Sequence, residues 1–475
     1  MRRVACGLAA TWGAVLLAGC AGLGPTPAWE LPPPPPAERP VVREGALQRS
    51  ELANGVRVLV HEDHSLPLVS ISLNLRRGAA SERPGEEGLT SFTAELLERG
   101  AGDRDAVAFA ESVDALGASF GAGAGWDSVG VSVRGLSRDF DTLLGLLADA
   151  ALRPRFDPRE AERARAETLA ALERAKDDPA TLAGWHLARA IYGEHRYGRP
   201  SGGDAEAVAR LDAAAARAWH RRMFVPAAAL ISVTGDVEAD EVAAALEAHF
   251  GAWAPGPVPE PGPPAPERTP EARTLVVVDR PDLGQARIAV GHDGLSRTDD
   301  TRIAASLMNS VLGGSGFSSR LMLSLRSEEG LTYGVGSGFG LRRAPGPFQV
   351  STFTKVETAR AALDLLLAEL ERMRSEPPSA EELGWARTLA VGRFARGLET
   401  AGDVTGSLVD LDLYGLPEDS LDTYRSRVRA IGEADVAAAA RAVLHPERAA
   451  IVLVGPAEQL RPQLEGLGAI EVVTP

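Results

Sequence analysis

The second half of this 475-residue chain repeats the element order of the first, and no other feature restricts the fold as much. Residues 45–253 open on two apolar runs, 56–60 and 69–75, which read as hairpin strands joined by the polar turn His61-Glu62-Asp63-His64-Ser65. Helical patterns follow at 88–100 and at 106–116, the latter closed by Gly117. A small, Gly-rich stretch at 118–125 precedes an alternating strand at 128–133. Further helices are expected at 140–152, from Pro158 to about Lys176 with Asp157 as cap, and at 205–224. The strand 229–234 then ends in Gly235.

Residues 272–475 run a parallel course. Strands are expected at 275–279, 286–291 and 348–352, helices at 303–312, 359–374, 380–398 and 436–443, and a last strand at 449–454 ending in Gly455. Each half thus closes strand–Gly after a helical layer, a duplication with a period of about 210 residues. Between the halves lies APGPVPEPGPPAPERTPE, residues 254–271, too rich in proline to build a packed core and read as a linker. Strands mixed with hairpin-connected helices argue for an α+β fold rather than a doubly wound sheet.

The N-terminus reads as an export signal. Met1-Arg2-Arg3 is a basic start, and the apolar run after it is too short to span a membrane. It ends Leu17-Ala18-Gly19-Cys20, which resembles a bacterial lipobox. Residues 1–19 are therefore expected to leave, with Cys20 lipidated, and residues 20–44, with their proline run, to form a tether. Ala21 rather than Asp after the cysteine resembles lipoproteins sent to the outer membrane, here facing the periplasm of a bacterium. The chain has two cysteines, and Cys6 departs with the signal, so neither an internal disulfide nor a cysteine metal site is available. A formal net charge of -15 argues against a nucleic-acid partner.

One stretch carries chemistry: Leu325-Arg326-Ser327-Glu328-Glu329-Gly330-Leu331-Thr332-Tyr333. Leu321, Met322 and Leu325 share a helical face, Gly330 ends the helix, and Leu331, Tyr333 and Val335 alternate as the next strand. Arg326 and Tyr333 can then converge beside a sheet edge. This pattern resembles the C-terminal half of the insulinase–pitrilysin metallopeptidase family, which includes the mitochondrial processing peptidases. The resemblance covers nearly all of residues 45–470 and implies two homologous α/β-roll domains. It also implies that Arg326 and Tyr333 hold the backbone of a peptide substrate near the scissile bond.

The zinc-binding members of that family carry His-x-x-Glu-His on a first-half helix, whose two His and one Glu supply ligands and a general base. The matching helix here reads GLTSFTAELLERG. Ser91 stands for the first His, Ala94 for the base and Glu95 for the second His. Leu89, Phe92 and Leu96 keep a buried stripe, while Ser91, Ala94, Glu95 and Glu98 are expected to share a solvated face. Glu167 most nearly matches the family's third ligand; with Glu95 it is a poor zinc site, two carboxylates without imidazole. No cofactor is therefore expected in this chain.

The resemblance implies a zinc-less, substrate-binding subunit that acts on peptides beside a zinc-bearing paralogue and is not catalytic alone. A second reading is a non-catalytic scaffold or peptide-binding chamber at the outer membrane. An independent zinc peptidase needs ligands that the sequence lacks.

Overall fold

The computed structural model describes residues 40–42, 45–259 and 272–475. The signal segment, Cys20, nearly all of the tether and most of the linker lie outside the described residues.

The first half contains β1 (Leu47–Glu51), β2 (Arg57–Glu62), β3 (Leu68–Leu75), α1 (Leu89–Leu96), α2 (Ala106–Asp114), β4 (Ser119–Ala124) and β5 (Val129–Leu136). It continues with α3 (Phe140–Leu152), α4 (Pro158–Ala175), α5 (Pro179–Tyr192), α6 (Ala205–Val208), α7 (Ala213–Met223), β6 (Ala229–Gly235) and α8 (Ala239–Phe250). The second half contains β7 (Thr274–Asp279), β8 (Gln285–Asp293), α9 (Arg302–Asn309), α10 (Arg320–Met322), β9 (Val335–Phe339) and β10 (Pro347–Lys355). It ends with α11 (Ala359–Ser375), α12 (Ala380–Arg396), α13 (Ala401–Tyr414), α14 (Ser420–Ala430), α15 (Glu433–Val443), β11 (Ala450–Gly455), α16 (Ala457–Gln463) and β12 (Ile470–Val473).

The strands form two six-stranded sheets, β1-β2-β6-β3-β5-β4 and β12-β7-β11-β8-β10-β9. The α+β reading with two homologous halves holds. The hairpin expected between β2 and β3 does not form. β6 inserts between them, parallel to β2 with Arg57 opposite Leu230, and antiparallel to β3 with Ile71 opposite Val233. The reason is burial: residues 229–234 are buried on both faces, so β6 takes the centre, where both its edges are paired. β11 does the same between β7 and β8.

Both central strands are covered on their second face by a helix from the opposite half. Leu182, Leu187 and Ile191 of α5 pack on Val276, Ala289 and Val452 of the second sheet. Leu408, Val409 and Leu411 of α13 pack on Leu59 and Leu230 of the first. Polar contacts reinforce the exchange. Asp127 accepts hydrogen bonds from the Arg343 amide (2.9 Å) and the Tyr414 hydroxyl (3.1 Å). The Arg342 guanidinium lies 4.3 Å from the ring centres of both Trp126 and Tyr197. The described residues between 40 and 475 consequently form one compact unit.

Other expectations need correction. The helix expected at 205–224 is two, because Asp204 caps α6 through Ala207 and Asp212 caps a new helix, α7, through Ala215. The helix expected at 88–100 ends at Leu96. No described helix is long and apolar enough to cross a membrane.

Candidate functional site

The first candidate site is α1. Glu82 sets its start, accepting from the Gly88 (3.1 Å) and Thr90 (2.8 Å) amides, where a carboxylate also meets the positive end of the helix. Arg196 holds Glu82 in turn, Nε to Oε2 at 2.8 Å. Leu89, Phe92 and Leu96 are buried as expected. Ala94 is not on a solvated face: it is 1% exposed. The cause is that α1 packs against β4, α4 and α7 together and so buries more than one stripe. Ser91 Oγ donates to the Ser201 carbonyl, at 3.5 Å.

Glu95 and Glu167 do converge, but on a guanidinium. Arg99 Nη2 lies 2.5 Å from Glu95 and 2.6 Å from Glu167, and Nη1 lies 3.5 Å from Glu160. Arg163 Nε donates to the other Glu167 oxygen at 2.9 Å. Hydrogen bonds from Arg99 and then Arg163 hold the Glu167 carboxyl below its ordinary range. Burial pulls Arg99 down, and the bonds to Glu167 and Glu95 more than reverse it. These residues do not fit zinc. A fixed cation already binds the carboxylates, Ala94 offers no base, and no imidazole is present.

Among the described residues another metal-like grouping exists, Glu62, His64 and Glu238, largely exposed. Two of its three side chains are already engaged: His64 Nδ1 bonds Asp236 at 2.8 Å, and Glu62 accepts from the Ala239 amide at 2.8 Å.

The second candidate site is the segment from α9 to β9. α9 runs into a π-helical turn, Ser310–Gly314, and α10 into another, Leu323–Glu328, a backbone form concentrated at functional sites. Leu321, Met322 and Leu325 are buried beneath it. Arg320 is buried and anchored on Glu382 at 2.8 and 2.9 Å. Gly330, with φ of 63°, ends the turn. The strand then begins at Val335 rather than at Leu331, because Thr332 closes a tight turn, its hydroxyl 3.0 Å from the Gly334 amide.

Tyr333 is left 81% exposed on that turn. The Arg326 guanidinium carbon lies 6.0 Å from the Tyr333 ring centre and 4.4 Å from that of Phe317, itself 67% exposed. No carboxylate pairs with Arg326 among the described residues. A planar cation with free donors and a phenol thus stand together on a buried base, able to donate to the backbone of an incoming chain.

The sequence reading missed Phe317, Arg99 and Glu160. The aromatic at the end of Gly313-Gly314-Ser315-Gly316 was a signal for Phe317, and the i,i+4 spacing from Glu95 was one for Arg99. Glu160 had none, since it reaches Arg99 only through the packing of α4 on α1.

Duplicated rolls, one whose α1 lacks the histidine ligands and one that sets Arg326 beside Tyr333, define a metallopeptidase-like chain. The chain belongs to the insulinase family. Residues 57–205 match the model for Insulinase (Peptidase family M16), and residues 210–389 match that for the Peptidase M16 inactive domain. An uncharacterized zinc protease of Streptomyces coelicolor is 26% identical over 416 residues, 87% of this chain and 90% of that protein. The crystal structure of a peptidase M16 inactive domain from Pseudomonas fluorescens is similar, with 28% identity and a TM-score of 0.80 over 86% of this chain and 98% of that one. A protease structure from Helicobacter pylori shares the fold, with a TM-score of 0.79 and 18% identity over 86% of this chain and 99% of that one.

Proposed function

We propose that this insulinase-family peptidase homologue is the substrate-binding, zinc-less subunit of a two-chain metallopeptidase. The carrying observation is the contrast between its two sites. The carboxylates of α1 and α4 are closed on Arg99, whereas Arg326 makes no ion pair among the described residues and stands beside the exposed Tyr333. In this reading the partner, a zinc-bearing relative, activates water. Arg326 holds peptide backbone with its planar fork, and Tyr333 donates a hydrogen bond where oxyanion charge develops. The pair works at the outer membrane, tethered through lipid on Cys20.

The test is reconstitution. This chain and a co-expressed relative carrying His-x-x-Glu-His should cleave an unstructured peptide together and not separately. A stable homodimer with no activity beside any such relative would favour the scaffold reading instead.

A further inference from the structure

A cavity of about 880 Å³ opens where β1, β2 and the end of β3 meet the C-terminal end of α13, and it shares no residue with the Arg326 segment. In a chain of net charge -15, its wall is basic: Arg49, Arg57, Arg76, Arg77 and Arg343 face three carboxylates. Arg49 is 3.9 Å from Glu418, and Glu51 makes no ion pair among the described residues. Arg57 and Arg76 both bond the same oxygen of Asp412, Oδ1. The Arg77 and Arg343 guanidinium groups make no ion pair among the described residues. Arg77 donates to the Pro259 and Arg76 carbonyls, both at 2.9 Å, and Arg343 to the Leu413 carbonyl.

Donors are also left over. Arg57 Nη2 and Arg76 Nε are buried without an acceptor. Asp412 Oδ2 is unbonded too, but one oxygen can satisfy only part of this demand. Burial, and next the Arg343 charge, pull the Arg77 guanidinium below its ordinary range, as expected where like charges meet without an anion.

We propose that this cavity is an oxyanion site, which takes the phosphate or carboxylate group of a ligand on Arg77 and Arg343. The free N–H groups of Arg57 and Arg76 are its inner donors. Guanidinium forks suit both oxyanions, since their parallel donors match two oxygens of either.

The test is calorimetric titration of the full mature chain with sodium phosphate and, separately, with a hexaglutamate peptide, both at constant ionic strength. Saturable 1:1 binding of at least one, with Kd of about 1 mM or tighter, is expected. Tighter binding of phosphate assigns a phosphoryl ligand, and tighter binding of the peptide assigns a carboxylate ligand. Arg77→Gln should weaken binding about tenfold or more, Arg77→Lys should restore part of it, and Arg138→Gln, on an exposed turn outside the cavity, should change nothing. A thermal melt of each variant reports its folding. No saturation by about 20 mM of either probe, or equal binding by wild type and a folded Arg77→Gln, overturns the proposal.

Discussion

The Arg99 guanidinium lies 2.6 Å from Glu167 and bridges it to Glu95, so a side chain of the protein supplies the positive charge at the point where α1 and α4 meet. The purified chain should therefore hold no stoichiometric zinc. Arg99→Ala leaves Glu95, Glu160 and Glu167 facing one another and should cost about 1 kcal/mol at neutral pH. That loss should shrink as the carboxylates protonate in acid. Elemental analysis and denaturant melts measure both. One zinc per wild-type chain, lost in Glu95→Gln, would falsify this account.

Tyr333→Phe keeps the ring and removes one donor. In an assembled pair with a zinc-bearing relative, turnover of an unstructured peptide should fall by about 10²–10³. Arg326→Ala should raise KM more than it lowers kcat, because the guanidinium holds backbone in ground and transition states alike. Neither change should unfold the chain, since Tyr333 is 81% exposed and Arg326 lies outside the buried stripe. Unchanged turnover in the assembled Tyr333→Phe pair would reduce the motif to a structural relic.

His292 makes stability depend on pH. It is fully buried, donates from Nδ1 to the Asp293 carbonyl at 2.7 Å, and accepts at Nε2 from the His445 amide at 3.1 Å. A proton on Nε2 would break the second bond. Burial lowers its pKa from 6.5 to about 4. The unfolded chain then binds the proton first. The stabilisation is complete above the ordinary histidine value and is lost as pH falls from about 6.5 towards about 4, to a total near 3 kcal/mol. Urea melts across that window should show a shallower slope for His292→Gln; equal slopes would exclude this residue as the source.

Leu187 belongs to the first half but packs on the sheet of the second. Leu187→Ala should cost about 2–4 kcal/mol. Because α5 and α13 tie the halves reciprocally, calorimetry should show one cooperative transition for wild type. Two well-separated transitions in wild type would show that the exchange does not couple them.

Cys20→Ser should release the protein from the membrane fraction, and mass spectrometry of wild type should find a lipid on Cys20 as the first residue. An unmodified Cys20, or cleavage elsewhere, would rule out the tether.

The sequence by itself determined the duplication, the α+β class and the loss of the metal motif. Element order follows from local periodicity, and in any fold Ala94 offers no donor atom and Ser91 no imidazole. The helix frame around Leu89, Phe92 and Leu96 was legible for the same reason. α5, absent from the helices expected above, carries legible signals as well: Asp178 as cap, Pro179 in the first turn and an apolar stripe through Leu182, Leu187 and Ile191. Its destination was not legible, because a stripe states that a face is buried and not against what. Only the tertiary structure decided that β6 separates β2 from β3 and that α5 and α13 exchange sheets. It alone placed Arg99 among three carboxylates and left Arg326 without one among the described residues. Each of these depends on residues far apart in the chain meeting across a packed interface, and local periodicity carries no record of such a meeting.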